Sequence, residues 1–222
     1  MSRVLSLMVA ALLLAGCKKP LVAASDDEKR LEQINARFHG GDLAGAEEDL
    51  LKYTVEYPKS GGAWGLMGWV HLKKDDYENA GKYFDKALEV DPNWENAHVG
   101  KGAMYRELGD TERARKSYLQ AIRMKPDAAE AYSSLLVIEL MEGNYEKAVE
   151  HGEKGWSYRK DLGTIAANLS VAYHYTGDMK KRREFYDEAK KLGYANLTVL
   201  EEVFRGERTI GPGTRAPAPE EP

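Results

Sequence analysis

The chain has 222 residues, 43% of them apolar and 31% charged, a balance that can bury a core and excludes wholesale disorder. Its formal charge of -4 is spread over 32 basic and 36 acidic side chains with no long block of one sign, so nucleic acid is not an expected partner. Even Lys180-Lys181-Arg182-Arg183 runs straight into Glu184, Asp187 and Glu188, the pattern of a solvated helix face.

At the amino terminus, Arg3, an apolar run from Val4 to Leu14 and the small residues Ala15 and Gly16 have the layout of a secretory signal peptide. A membrane-spanning helix needs about 20 apolar residues, and Lys18, Lys19 and Pro20 close this run sooner. Cys17 is the only cysteine, which leaves no intramolecular disulfide to form. Leu14-Ala15-Gly16-Cys17 resembles the lipobox of bacterial lipoproteins. That resemblance implies that residues 1–16 are removed and that Cys17 becomes an acylated first residue, with residues 17–26 as a lipidated tether. More than one acyl chain is needed for stable anchoring, and lipoprotein acylation supplies it. A lysine at position 18, where an aspartate is the usual retention mark for the inner membrane, implies the periplasmic face of the outer membrane.

From there on one period dominates. Ala46, Ala80, Ala114 and Ala148 stand 34 residues apart, as do Pro58, Pro92 and Pro126, and Gly109, Gly143 and Gly177, with Gly41 two periods earlier. Three residue types sharing one period mark an internal repeat. The units AWGLMGWVHLKKDDYENAGKYFDKALEVDPN (63–93) and AHVGKGAMYRELGDTERARKSYLQAIRMKPD (97–127) resemble the tetratricopeptide repeat, a helix, a tight turn and a second antiparallel helix. The resemblance implies an all-α, right-handed α-solenoid of about five helix hairpins, framed at 27–60, 61–94, 95–128, 129–162 and 163–196.

Each matching residue has a mechanical task. Trp64 is a wedge. Gly68, Gly102, Ala80, Ala114, Ala87 and Ala121 let helices approach, and Phe84, Tyr118 and Tyr186 fill the space left. The glycines end first helices in a left-handed turn, and the prolines stop second helices. The first frame carries Arg30, Gln33 and Arg37 at positions that the family makes apolar, as suits a terminal unit facing water. The fourth frame puts Gly152 and Gly155 inside a helix, each at about 1 kcal/mol relative to alanine. Residues 151–161 are therefore expected to be kinked, shortened or unusually close to the next helix. The fifth frame departs at Arg182 and Tyr194 but keeps Leu169, Tyr173, Gly177 and Ala189.

Thr198 and Glu201 form a capping-box pattern, and Leu197, Leu200, Val203 and Phe204 recur at helical spacing, which predicts a capping helix over 197–206. Residues 207–222, rich in proline, glycine and charge, are read as a disordered tail.

Nothing in the pattern points to catalysis, a cofactor or a small-molecule substrate. The five histidines are scattered, His71 and His98 at core-facing repeat positions and His39 and His174 near helix ends, with no metal-binding pair at i and i+4. Ser157-Tyr158-Arg159-Lys160 matches the S-x-x-K string of penicillin-interacting enzymes, but the companion strings are missing.

What the resemblance leaves for function is a concave groove lined by repeat positions 2, 5, 9, 12 and 13. Carried over position by position, the lining comprises Phe38, Trp69 and Leu72 in the first two frames. Val99, Ala103 and Arg106 follow in the third, Val137 and Leu140 in the fourth, and Val171, His174 and Tyr175 in the fifth. Such a strip suits an extended or helical segment of another protein. Val99, Ala103, Ser133 and Ser134 stand where the carboxylate-clamp variety of the family carries basic and amide groups, which disfavours acidic chaperone tails. The expected function is a lipid-anchored, non-catalytic adaptor in the bacterial envelope, one that assists an outer-membrane complex such as a pilus secretin. The alternative is an accessory of cell-wall remodelling that binds peptidoglycan or recruits a cell-wall enzyme.

Overall fold

A computed structural model of the chain describes residues 25–210. The signal region, Cys17 and residues 211–222 lie outside them. The described residues form eleven helices and no strand: α1 (Asp26–His39), α2 (Leu43–Glu56), α3 (Gly61–Lys73), α4 (Tyr77–Val90), α5 (Glu95–Glu107), α6 (Thr111–Met124), α7 (Ala129–Glu142), α8 (Tyr145–Tyr158), α9 (Gly163–Thr176), α10 (Met179–Lys191) and α11 (Leu197–Phe204). Consecutive helices pair into five hairpins that follow the 34-residue frames, and each hairpin packs on the next, so the fold is an α-solenoid closed by α11.

Two residues build every tight turn. The first is left-handed: Gly41, Gly109, Gly143 and Gly177 have φ of +82°, +76°, +79° and +84°. The second frame has Asp75 there at φ +57°, and the Tyr77 hydroxyl donates to its carboxylate at 2.9 Å. Aspartate is among the few side chains that tolerate this region. The next residue caps the second helix. The carboxylates of Asp42, Asp76, Asp110 and Asp178 accept from the backbone N–H of Gly45, Asn79, Arg113 and Lys181.

Asp76 holds more than its cap. It also accepts from the Asn79 amide at 2.7 Å and meets His71 Nδ1 at 2.9 Å. The Asn79 amide, then His71, then the cap N–H lower its pKa from 3.8 to about 2. A depressed folded-state pKa gives a stabilising contribution that is complete above pH 3.8 and vanishes as the pH falls towards 2. Asp76→Asn keeps a capping oxygen without the charge, so its melting temperature is expected to drop less than wild type between pH 5 and pH 2.5 in thermal circular dichroism.

The core runs along the solenoid between first and second helices. Ala46, Ala80, Ala114 and Ala148 are all fully buried, and so are the wedges Phe84 and Tyr118. The Phe84 ring from α4 lies against both Gly68 of α3 and Gly100 of α5, where an added Cβ would stand 2.6 and 2.3 Å from it. Tyr118 meets Gly102 in the same way at 2.6 Å. One aromatic ring thus holds its own hairpin together and, through Gly100, docks the next.

The fourth hairpin keeps full length. Despite Gly152 and Gly155, α8 spans 14 residues without a break, so the kink and the shortening expected of 151–161 do not occur and the close approach does. A Cβ on Gly152 would lie 2.3 Å from Leu136 and 2.5 Å from Leu169, so the glycine admits both leucines over its backbone. The α8–α9 contact is the most extensive between successive hairpins.

A buried carboxylate ties the third hairpin to the fourth. Glu139 on α7 is 1% exposed and accepts from Arg115 of α6 and, at 3.0 Å, from the Asn144 amide. Asn144 stands where the other frames have the capping aspartate, and its side chain caps nothing because it serves Glu139.

Three details depart from the sequence reading. The N-cap of α11 is Asn196 rather than Thr198, and the helix ends at Phe204 rather than at 206. In the fifth hairpin Phe185 rather than Tyr186 fills the core, stacked on Tyr173, while the Tyr186 hydroxyl donates to Glu201 of α11. Residues 207–210 are ordered: Arg208 pairs with Glu202 at 2.9 Å, and Ile210 packs against the C-terminal core.

Candidate functional site

First helices line one side of the solenoid, and at its N-terminal end that side opens into a cleft. The cleft, of about 680 Å³, lies between α1, α3 and the start of α5. Its apolar wall is Leu31, Phe38, Leu66, Trp69 and Trp94, and Glu28, Glu32, Asn35, His39, Lys73 and Asn96 form the polar rim.

The two indoles are held by different means. Trp69 rests edge-on against the buried Phe84 with ring centroids 5.6 Å apart and is itself half-buried, so its orientation is fixed while part of its face stays open. Trp94, the residue before α5, sets the outer edge of its ring against Gly65 of α3. A Cβ there would fall 1.6 Å from the ring, well inside contact distance. Only a glycine leaves room for this ring. Because the obstructing atoms are the far end of one side chain, Gly65→Ala is expected to turn Trp94 away and empty part of the cleft. Its stability loss should be smaller than that of Gly100→Ala, which meets the locked Phe84 ring. Tryptophan fluorescence together with melting temperature separates the two outcomes.

Of the eleven residues assigned to the groove, Phe38 and Trp69 meet in this cleft. Ala103 and Arg106 continue the same side, half-buried, with Arg106 bridged to Glu107 at 3.1 Å. Four assignments are corrected. Leu72 and Val99 are 9% exposed, Leu140 is 2% and Val171 is fully buried, so these side chains pack between hairpins and offer a partner nothing. Val137, His174 and Tyr175 are half-buried at the C-terminal end, where the chain covers itself. The His174 ring lies 5.3 Å from Phe204 of α11, and the Tyr175 hydroxyl accepts the backbone N–H of Ile210 at 2.9 Å. Burial first and then Arg182 push the His174 pKa below its ordinary value.

The sequence reading missed Leu31, Leu66 and Trp94. Leu31 occupies repeat position 5 and was open to the same transfer. Trp94 lies outside the first helices, and its only sequence signal is the bare Gly65 at position 5 of the second frame. Cys17 and the signal region fall outside the described residues.

Ser157 Oγ donates to the Lys154 carbonyl at 2.7 Å, a bond within its own helix. His71, 7% exposed, sits 3.3 Å from Glu47 and 2.9 Å from Asp76 and bridges two hairpins. Among the described residues no cluster of three or more His, Cys, Asp or Glu could hold a metal ion, and no helix is long and apolar enough to cross a membrane.

Comparison with known proteins agrees with this geometry. Tetratricopeptide-repeat family models match residues 62–93 and 102–155. Subunit 3 of the Schizosaccharomyces pombe anaphase-promoting complex is 24% identical over 135 residues, which are 61% of this chain and 20% of the subunit. The chain thus spans about a fifth of that relative's length. The solved structure of Pseudomonas aeruginosa pilF is 19% identical and superposes with a TM-score of 0.68, covering 82% of this chain and 85% of that one. YrrB, a tetratricopeptide protein described with an unusual peptide-binding site, is 18% identical with a TM-score of 0.53, covering 80% of this chain and 92% of its own. At these identities the solved structures speak for the fold alone. The chain carries tetratricopeptide repeats, and its architecture is the helix-hairpin solenoid that such repeats build.

Proposed function

We propose that this chain is a non-catalytic adaptor that holds a segment of another polypeptide in the cleft between α1, α3 and α5. The observation that carries this reading is the pair of indoles, Trp69 braced on Phe84 and Trp94 seated against Gly65, in an open apolar cleft with a polar rim. Held aromatic groups that remain accessible are the usual anchors of protein interfaces. The peptide-binding site described for YrrB, a protein of the same fold, supports the same use.

The resemblance of Leu14-Ala15-Gly16-Cys17 to a lipobox supports a place at a membrane for this adaptor. Acylated Cys17 would anchor it on the periplasmic face of the bacterial outer membrane, and Ser25, where α1 is capped, follows within eight residues. A tether of that length reaches at most about 28 Å, so the cleft would work close to the bilayer. Within this reading the task is to assist assembly of an outer-membrane complex such as a pilus secretin.

A photoreactive residue at position 69 in intact cells tests the core of the reading. An adduct with one defined polypeptide, reproduced from position 38, is the expected result, and no adduct from either position would contradict it. Cys17→Ser is expected to move the protein from the membrane pellet to the soluble periplasmic fraction. For the secretin assignment, a deletion strain whose secretin still multimerises normally would overturn it.

A further inference from the structure

The basic run of α10 is not wholly a solvated face. Arg182 and Arg183 stand one turn before Tyr186 and Asp187, so the four share a side of α10, and they face Glu201, Phe204 and Arg205 at the end of α11. Between the two helices lies a second cavity, of about 500 Å³, at the opposite end of the solenoid from the cleft. Its lining is mostly charged.

The walls of this cavity are braced. The Phe204 ring stands edge-on to Tyr186, with centroids 5.9 Å apart, and leans on His174 at 5.3 Å, while the Tyr186 hydroxyl donates to Glu201 and ties α10 to α11. Arg182 lies over Phe204, with its guanidinium carbon 4.8 Å from the ring centroid. Contact with an aromatic face fixes the side chain and leaves its N–H donors unused.

Two of the lining charges are satisfied within the protein. Arg205 donates through Nε and Nη2 to Glu207, both at 2.7 Å, and its Nη1 lies 3.9 Å from Glu201, which also accepts from Tyr186. Arg182, Arg183 and Asp187 have no ionic partner among the described residues. Two guanidinium groups and one carboxylate therefore border the cavity unpaired, and a ligand that matches them carries negative charge for the arginines and a positive group for the aspartate. Phosphate oxygens are numerous enough to accept from both planar forks, and an ammonium suits the neighbouring carboxylate. A bare phosphate would meet Asp187 as a like charge.

We infer that the cavity between α10 and α11 binds a phosphate ester that carries an ammonium group, with the phosphate on Arg182 and Arg183 and the ammonium on Asp187. The same chemistry occurs in a free amino-alcohol phosphate and in the head group of an amino phospholipid. O-phosphoethanolamine titrated into the purified full chain at constant ionic strength is expected to give saturable amide NMR shifts confined to α10 and α11. Inorganic phosphate should bind several-fold more weakly. Arg182→Met keeps an apolar stem on Phe204 and should weaken phosphoethanolamine binding about tenfold, as should the exposed Arg183→Met. Asp187→Asn should abolish the preference over inorganic phosphate while phosphate itself binds more tightly, a pattern that a loss of fold would not produce. Flotation of the Cys17→Ser chain on phosphatidylcholine vesicles, with and without phosphatidylethanolamine, separates the two sources. A gain with phosphatidylethanolamine that Arg182→Met removes assigns the lipid head group, and binding of the free compound without such a gain assigns a soluble ligand. No saturable shift, shifts spread along the solenoid, or binding indifferent to both arginines would overturn the inference. The site is separate from the cleft, so either can fail without the other.

Discussion

Phe84→Ala is expected to lower the unfolding free energy by about 4 kcal/mol, in the middle of the range for a buried phenylalanine. The ring is fully buried, and two of the groups facing it, Gly68 and Gly100, have no side chains to move into the vacated space. A cavity that cannot collapse keeps its whole energetic penalty. For a domain of this size the loss corresponds to a fall in melting temperature of about 10–15 °C, read by thermal circular dichroism. The same variant unseats Trp69, whose ring leans on Phe84, so its fluorescence should shift as well. A loss below about 1 kcal/mol would mean that Phe84 is not the wedge between α3 and α5.

Gly152→Leu is expected to destabilise by about 3 kcal/mol, although it restores the large residue usual in the family and removes a helical glycine. The gain in helix propensity is about 1 kcal/mol, and the clash outweighs it. Leu136 and Leu169 already occupy the space over residue 152, both fully buried, and neither has room to retreat. Consensus substitutions commonly stabilise. Here the rest of the interface has been rebuilt around the missing side chain, and α8 and α9 would have to separate. Chemical denaturation with the midpoint compared to Gly155→Ala gives the test, since a Cβ at 155 has its nearest neighbour at 3.1 Å and should be felt less. Equal or higher stability in Gly152→Leu would sink the close-approach account of the fourth hairpin.

The fold was legible in the sequence because each repeated residue answers a constraint that acts locally. A left-handed turn calls for glycine, a stopped helix for proline, and a tight crossing for alanine, and these recur at one period. The period lapsed at Asp75 because aspartate can also occupy the left-handed region, with Tyr77 holding its carboxylate. The Arg115–Glu139–Asn144 group escaped notice for another reason: Arg115 and Glu139 are 24 residues apart, and nothing near either one announces the other.

The groove was only half legible. Positions 5, 9 and 12 lie at the border between the concave face and the contact with the next hairpin. Local crossing geometry decides which way each points, so Phe38 and Trp69 open into the cleft while Leu72, Val99, Leu140 and Val171 turn inward. Position alone could not separate these cases. Nor could it show that α11 and residues 205–210 cover the C-terminal end at His174 and Tyr175 and leave the N-terminal cleft open.

The claim on which the rest depends is that the first-helix side of the N-terminal hairpins is the surface that holds another polypeptide. A photoreactive scan in intact cells measures this most directly, with the probe placed in turn at Phe38, Trp69 and Asn96 of the cleft and at the exposed Val55 and Leu119 of α2 and α6. The account predicts one common adduct from the three cleft positions and none from the two outer ones. Adducts of equal yield from Val55 or Leu119, with the cleft silent, would contradict it.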